Sequence, residues 1–164
     1  MASIALYGDI EECLELNKFN PKFNIYGARV LDRDNKFPKE KLIENQITEV
    51  IAYFYKEKGC RILNLSIGIE EDTYMGGKQF TLAQRIDEMC REFDIFVCIS
   101  AGNFKGYPYC EEIEYEKTIR EYPNYLLQNN AQIINPATSA LALTVGSLTS
   151  EPRLTLSEER GVNV

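Results

Sequence analysis

Histidine is missing from all 164 residues of this chain. Without it, no Ser-His-Asp or Cys-His relay can be completed among these residues. A zinc site built on imidazole is excluded for the same reason, and no two of the cysteines stand at C-x-x-C spacing. The cysteine count, five, is odd: Cys13, Cys60, Cys90, Cys98 and Cys110. They read as reduced, buried, small apolar residues of a cytoplasmic protein. A positive charge excess is also absent, with 18 basic side chains against 25 acidic ones and a net charge of -7. That balance disfavours nucleic acid or an anionic membrane surface as a partner. No run reaches the roughly 18 apolar residues of a membrane span. The first residues, Met1 to Tyr7, carry no basic stretch before their short apolar run, so a signal peptide is not expected. Neither G-x-G-x-x-G nor G-x-x-x-x-G-K-[ST] follows any apolar run, which weakens a nucleotide-binding reading. No cofactor and no metal site are expected.

What the chain does have is an ordinary globular balance, 45 % hydrophobic and 26 % charged, at a length that suits one core. Two apolar runs end on small residues. One is Ile62-Leu63-Asn64-Leu65-Ser66-Ile67-Gly68, and the other runs from Ile95 to Ser100-Ala101-Gly102-Asn103. Runs this continuously apolar suit strands covered on both faces. The second run places the Asn103 amide at a strand's carboxyl edge, where open α/β sheets bind ligands. A side-chain amide there is a donor that can face a developing negative charge.

Between these runs the pattern alternates. Residues 1 to 7 read as the end of a helix stopped by Gly8, and 9 to 24 as irregular. Ile25 to Leu31 reads as a strand, with Asp32-Arg33-Asp34-Asn35 as a solvated turn. A helix is expected from Pro38 to Gly59, with Leu42, Ile43, Ile47, Val50, Ile51 and Phe54 on one stripe. After the strand ending at Ile67, residues 70 to 78 read as a loop. A second helix follows, with Thr81 and Gln84 at capping-box spacing and Leu82, Ile86, Met89, Cys90 and Phe93 on its apolar face. Asp87 and Glu88, near Arg85 and Arg91, read as its exposed face. Residues 102 to 130 break the pattern with five tyrosines and an acidic cluster, Glu111, Glu112, Glu114 and Glu116, which reads as a solvated loop. A short helix is expected over 113 to 122, a fourth strand over Ala140 to Leu148, and a polar tail over 149 to 164. The strand–helix order implies a mostly parallel sheet with helices on its faces, a three-layer αβα sandwich.

The order of these pieces resembles the middle of a subtilisin-like serine protease, a subtilase of the peptidase S8 type. Tyr26-Gly27-Ala28-Arg29-Val30-Leu31-Asp32 is similar to that family's Val-Leu strand, and Ile62 to Gly68 to its V-I-N-M-S-L-G segment. Cys98 to Asn103 resembles its A-A-A-G-N segment. Asn135-Pro136-Ala137 and Ala142 to Ser147 resemble its Y-P-A segment and its I-A-V-G-A strand. The match spans roughly residues 25 to 148, and the order of the motifs carries more weight than any one of them.

The resemblance implies an incomplete subtilisin-like domain, with residues 1–148 as its central part and 149–164 as a tail or connection. It makes Asn103 the oxyanion-hole donor. It makes Ser66, Ile67 and Gly68 one wall of the substrate pocket, and Ser100, Ala101 and Gly102 the other. Met1-Ala2-Ser3 resembles the tail of the H-G-T-x-V-A motif, so the catalytic His is expected just upstream of Met1. No G-T-S motif occurs, and the nucleophile is expected beyond Val164. The parent is then expected to be a serine endopeptidase acting on peptide or protein, and this chain an inactive central segment able to self-associate. The competing expectation is a complete, non-catalytic α/β module that binds a ligand or protein at the strand ends.

Overall fold

A computed structural model describes residues 2–103 and 123–146. The expected helix at 113–122, the acidic cluster, four of the five loop tyrosines, Cys110 and the tail at 149–164 lie outside the described residues. The chain divides into two compact units, one ending at Lys58 and one starting at Gly59.

The first unit holds α1 (Ala2–Tyr7), α2 (Ile10–Glu15) and α3 (Ile43–Lys58). Gly8, at φ 83°, ends α1 as expected. Residues 10–15 are helical rather than irregular. Asp9 caps them, its carboxylate accepting from the Glu11 and Glu12 amides at 2.9 and 3.2 Å. The expected strand at 25–31 does not form. Among the described residues no strand pairs with it, and an unpaired extended segment gains nothing from a ladder. Its backbone is tied down by side chains instead. Arg29 donates to the Leu31 and Asp32 carbonyls, and Gln46 donates to the Val30 carbonyl at 2.8 Å. The third helix begins at Ile43, not near Pro38, which leaves Leu42 outside the stripe and 69 % exposed. Ile47 and Ile51 are its buried residues, and Lys56 and Lys58 lie in the last turn, where the helix dipole favours cations.

The second unit is α/β. Strands β1 (Ile62–Leu65), β3 (Phe96–Ser100) and β5 (Leu143–Val145) form a parallel sheet in the order β1-β3-β5. The expected fourth strand is thus present but shorter, starting at Leu143 rather than Ala140. A second, antiparallel pair joins β2 (Ile69–Thr73) to β4 (Ile134–Asn135). β2 replaces part of the loop expected at 70–78. Its sequence, Ile-Glu-Glu-Asp-Thr, is poor in strand formers, and only its distant partner makes it a strand.

Helix α4 (Thr81–Phe93) connects the sheet strands. Its stripe Leu82, Ala83, Ile86, Met89, Cys90 and Phe93 is buried, as are Val97 and Ile99 on one face of β3. These residues make the core of the unit. The capping box does not form. Thr81 is already the first helical residue, Phe80 occupies the cap without a side-chain bond, and Gln84 donates to the Gln79 carbonyl. At the other end, Asp94 adopts a left-handed conformation at φ 50° and returns its amide to the Cys90 carbonyl, turning the chain into β3.

Candidate active site

The register Leu65↔Ile99 brings the carboxyl ends of β1 and β3 to one level. Ser66-Ile67-Gly68 and Ser100-Ala101-Gly102 therefore leave the sheet side by side, at its carboxyl edge. Each serine hydroxyl is engaged locally. Ser66 accepts from the Asn64 amide at 2.8 Å, and Ser100 accepts from the Gly102 N–H at 3.3 Å. Ser66 is exposed, while Ile67, Gly68, Ser100, Ala101 and Gly102 are half-buried. Ala101 continues the sheet by donating to the Val145 carbonyl at 3.0 Å. Gly102 then turns the chain at φ 109°, a conformation that glycine adopts without penalty. Asn103 follows directly and is exposed. All seven residues singled out from the sequence thus belong to two neighbouring strand ends.

A third segment joins them, next to the Asn135-Pro136-Ala137 motif, and the sequence did not single out its Ile134. Ile134 packs into the angle between the two glycines. A Cβ built on Gly102 would stand 2.7 Å from Ile134 Cγ1 and 2.8 Å from its Cδ1. A Cβ on Gly68 would stand 3.0 Å from Ile134 Cγ1 and overlap its Cδ1. The glycines are small because this isoleucine needs the room. The backbone around Ile134 is fixed on several sides. Its N–H donates to the Ala101 carbonyl at 3.3 Å, and its carbonyl accepts from Ala137 at 2.7 Å. Tyr74 donates to the preceding Ile133 carbonyl at 2.9 Å. The next residue, Asn135, precedes a cis peptide to Pro136 and donates from its amide to Asp72 on β2 at 3.1 Å. No local pattern marks Ile134, because both of its contacts are distant in sequence.

Helix α4 carries a second cluster. Asp87 of α4 is buried rather than on the exposed face expected for it. Its carboxylate accepts from the Ser139 hydroxyl, from the Ala140 and Leu141 amides at 3.0 and 2.9 Å, and from the Gln79 amide at 2.6 Å. Burial pushes this carboxyl up. The bonds from Ser139, Ala140, Gln79 and Leu141 outweigh that and hold its pKa below the ordinary carboxylate value. A signal was there to read: Asp87 falls four residues after Ala83 and three before Cys90, on the apolar stripe. Burial, and then the Asp87 charge, push the neighbouring Cys90 thiol up, so Cys90 is an inert core thiol rather than a nucleophile. The described cysteines are free; Cys90 is buried, while Cys13, Cys60 and Cys98 are only half-buried.

Among the described residues no group of His, Cys, Asp and Glu is placed to hold a metal ion, and no helix is long and apolar enough to cross a membrane.

With this geometry in hand, comparison with known proteins identifies the class. The model of the subtilase family, peptidase S8, matches residues 1–164, and the chain belongs to that family. The match includes the segment at 149–164. A curated relative, the uncharacterized protein y4bN of Sinorhizobium fredii (strain NBRC 101917 / NGR234), is 36 % identical over 104 residues. That stretch covers 63 % of this chain and 23 % of the relative, so the chain spans under a quarter of the relative's length. No solved structure matches the chain.

Proposed function

We propose that this chain is the oxyanion and substrate-pocket segment of a serine endopeptidase, the central part of its catalytic domain. One observation carries the reading: in a member of the subtilase family, the in-register pairing of β1 with β3 sets Ser66–Gly68 beside Ser100–Asn103 at one sheet edge. A peptide laid along that edge presents its scissile carbonyl to Asn103. The amide donates to the oxyanion that forms when a serine outside this chain attacks, and a histidine outside this chain moves the proton. Strand-end backbone at residues 66–68 and 100–102 is suited to pairing with an extended peptide. The chain alone binds but does not turn over substrate, because its sequence contains no histidine to act as base. Its free cysteines support a reducing, cytoplasmic setting.

The test is kinetic. In the full-length protein, Asn103→Ala lowers kcat for a peptide substrate on the order of 10² to 10³-fold, the loss that removal of such a donor causes in a subtilisin, with KM nearly unchanged. The isolated 164-residue chain takes up no fluorophosphonate label. An Asn103→Ala enzyme with undiminished kcat, or stoichiometric labelling of the isolated chain, removes the assignment.

A further inference from the structure

We infer that Ile134 closes the slot between the two strand ends, so that the endopeptidase accepts only a very small side chain, glycine or alanine, in the residue before the scissile bond. This rests on the proposed peptidase function and names the substrate class of the same site.

The argument is steric. Glycines at 68 and 102 would ordinarily leave an open slot for a substrate side chain. Here both faces are already in contact with one isoleucine, as the distances from built Cβ positions show. Ile134 is 8 % exposed, so its branched side chain is packed among protein atoms rather than standing in solvent. A substrate side chain entering between Ser66–Gly68 and Ser100–Gly102 meets those methyl groups at once. A hydrogen or a methyl group fits in front of them, whereas an isobutyl or benzyl group needs the volume that Ile134 holds.

The plug is also held in place. A β-branched side chain has few χ1 positions, and the Ile134 backbone is bonded to Ala101 on one side and Ala137 on the other. β4 is further paired to β2 through Thr73↔Ile134 and Ile69↔Asn135. Moving the Ile134 backbone away from the slot would break the β2–β4 pair and the Ala101 bond together. The exclusion of large side chains is built into the fold rather than into an adaptable loop.

The test uses the full-length protein and fluorogenic peptides that differ only in the residue before the scissile bond: Gly, Ala, Leu or Phe. The wild type favours Ala over Phe in kcat/KM by about tenfold or more, the discrimination that a fixed apolar wall produces. Ile134→Ala reverses that order, and Ile134→Val, which removes only Cδ1, shifts it part of the way toward Leu. The ratio is taken within one preparation, so loss of folded protein in a variant cancels. Equal cleavage of Ala and Phe peptides by the wild type, or an unchanged ratio in both variants, overturns the inference and leaves the peptidase function standing. A wild type that cleaves neither these peptides nor denatured casein, and takes no fluorophosphonate label, removes the function and the inference together.

Discussion

Asp87 shows how one side chain can hold a loop to a helix. Four donors converge on its carboxylate, three of them from residues 139–141 immediately before β5. Substituting alanine leaves those donors without an acceptor, and buried unpaired donors are costly. Asp87→Ala is expected to destabilise the chain by about 3 kcal/mol, read from urea unfolding. The pH sign follows from its lowered pKa. A carboxyl that ionises more readily when folded contributes stability that is fully present above its ordinary unfolded value, near pH 4. That contribution disappears as the pH falls through the lower, folded value. Stability measured from pH 5 downward is therefore expected to fall less steeply in Asp87→Asn than in the wild type. Equal slopes would remove Asp87 from the acid transition. Aspartate type alone suggested a solvated helix face; its place on the apolar stripe was the readable clue, and only the packed loop supplies its partners.

Elements divide by how local their causes are. Helix α4 and strand β3 were legible because apolar spacing of 3.6 and a continuous apolar run each favour one structure over a short window. Helix α2 was legible in principle, since Asp9 with Glu12 three residues on is a capping pair. Residues 25–31 and 69–73 went the opposite way from expectation for one reason: a strand exists only beside a partner. The apolar segment has none among the described residues, and the acidic one finds Ile134–Asn135 more than sixty residues away. The Ile134 wedge belongs at this scale and can be checked without any activity. Gly68→Ala introduces a methyl group into Ile134 and is expected to cost about 1–3 kcal/mol. Combined with Ile134→Ala, the same substitution is expected to cost markedly less, because the clash is gone. Additive losses in that double-mutant cycle would mean the two residues do not share space.

At the scale of the whole molecule, one face of the described sheet carries exposed apolar side chains. Ile62, Phe96, Leu143 and Val145 share one face through the pairs Ile62↔Phe96, Cys98↔Leu143 and Ser100↔Val145. Each is about half exposed or more. β1 and β5 are edge strands of the described sheet, and unpaired edges beside apolar surface favour association. The isolated chain is expected to sediment as a dimer or larger at tens of micromolar, and Phe96→Lys with Leu143→Lys to return it toward its 18.8 kDa monomer. A wild-type monomer at that concentration would end the idea. The sequence by itself determined the family, the strand ends and the position of Asn103, since each is written in contiguous residues whose spacing or order constrains the chain locally. Only the tertiary structure decided that Ile134 fills the angle between Gly68 and Gly102, that Asp87 faces inward and that β2 is a strand. Each of those depends on atoms far apart in the chain meeting at close range, and no local window of residue types encodes such a meeting.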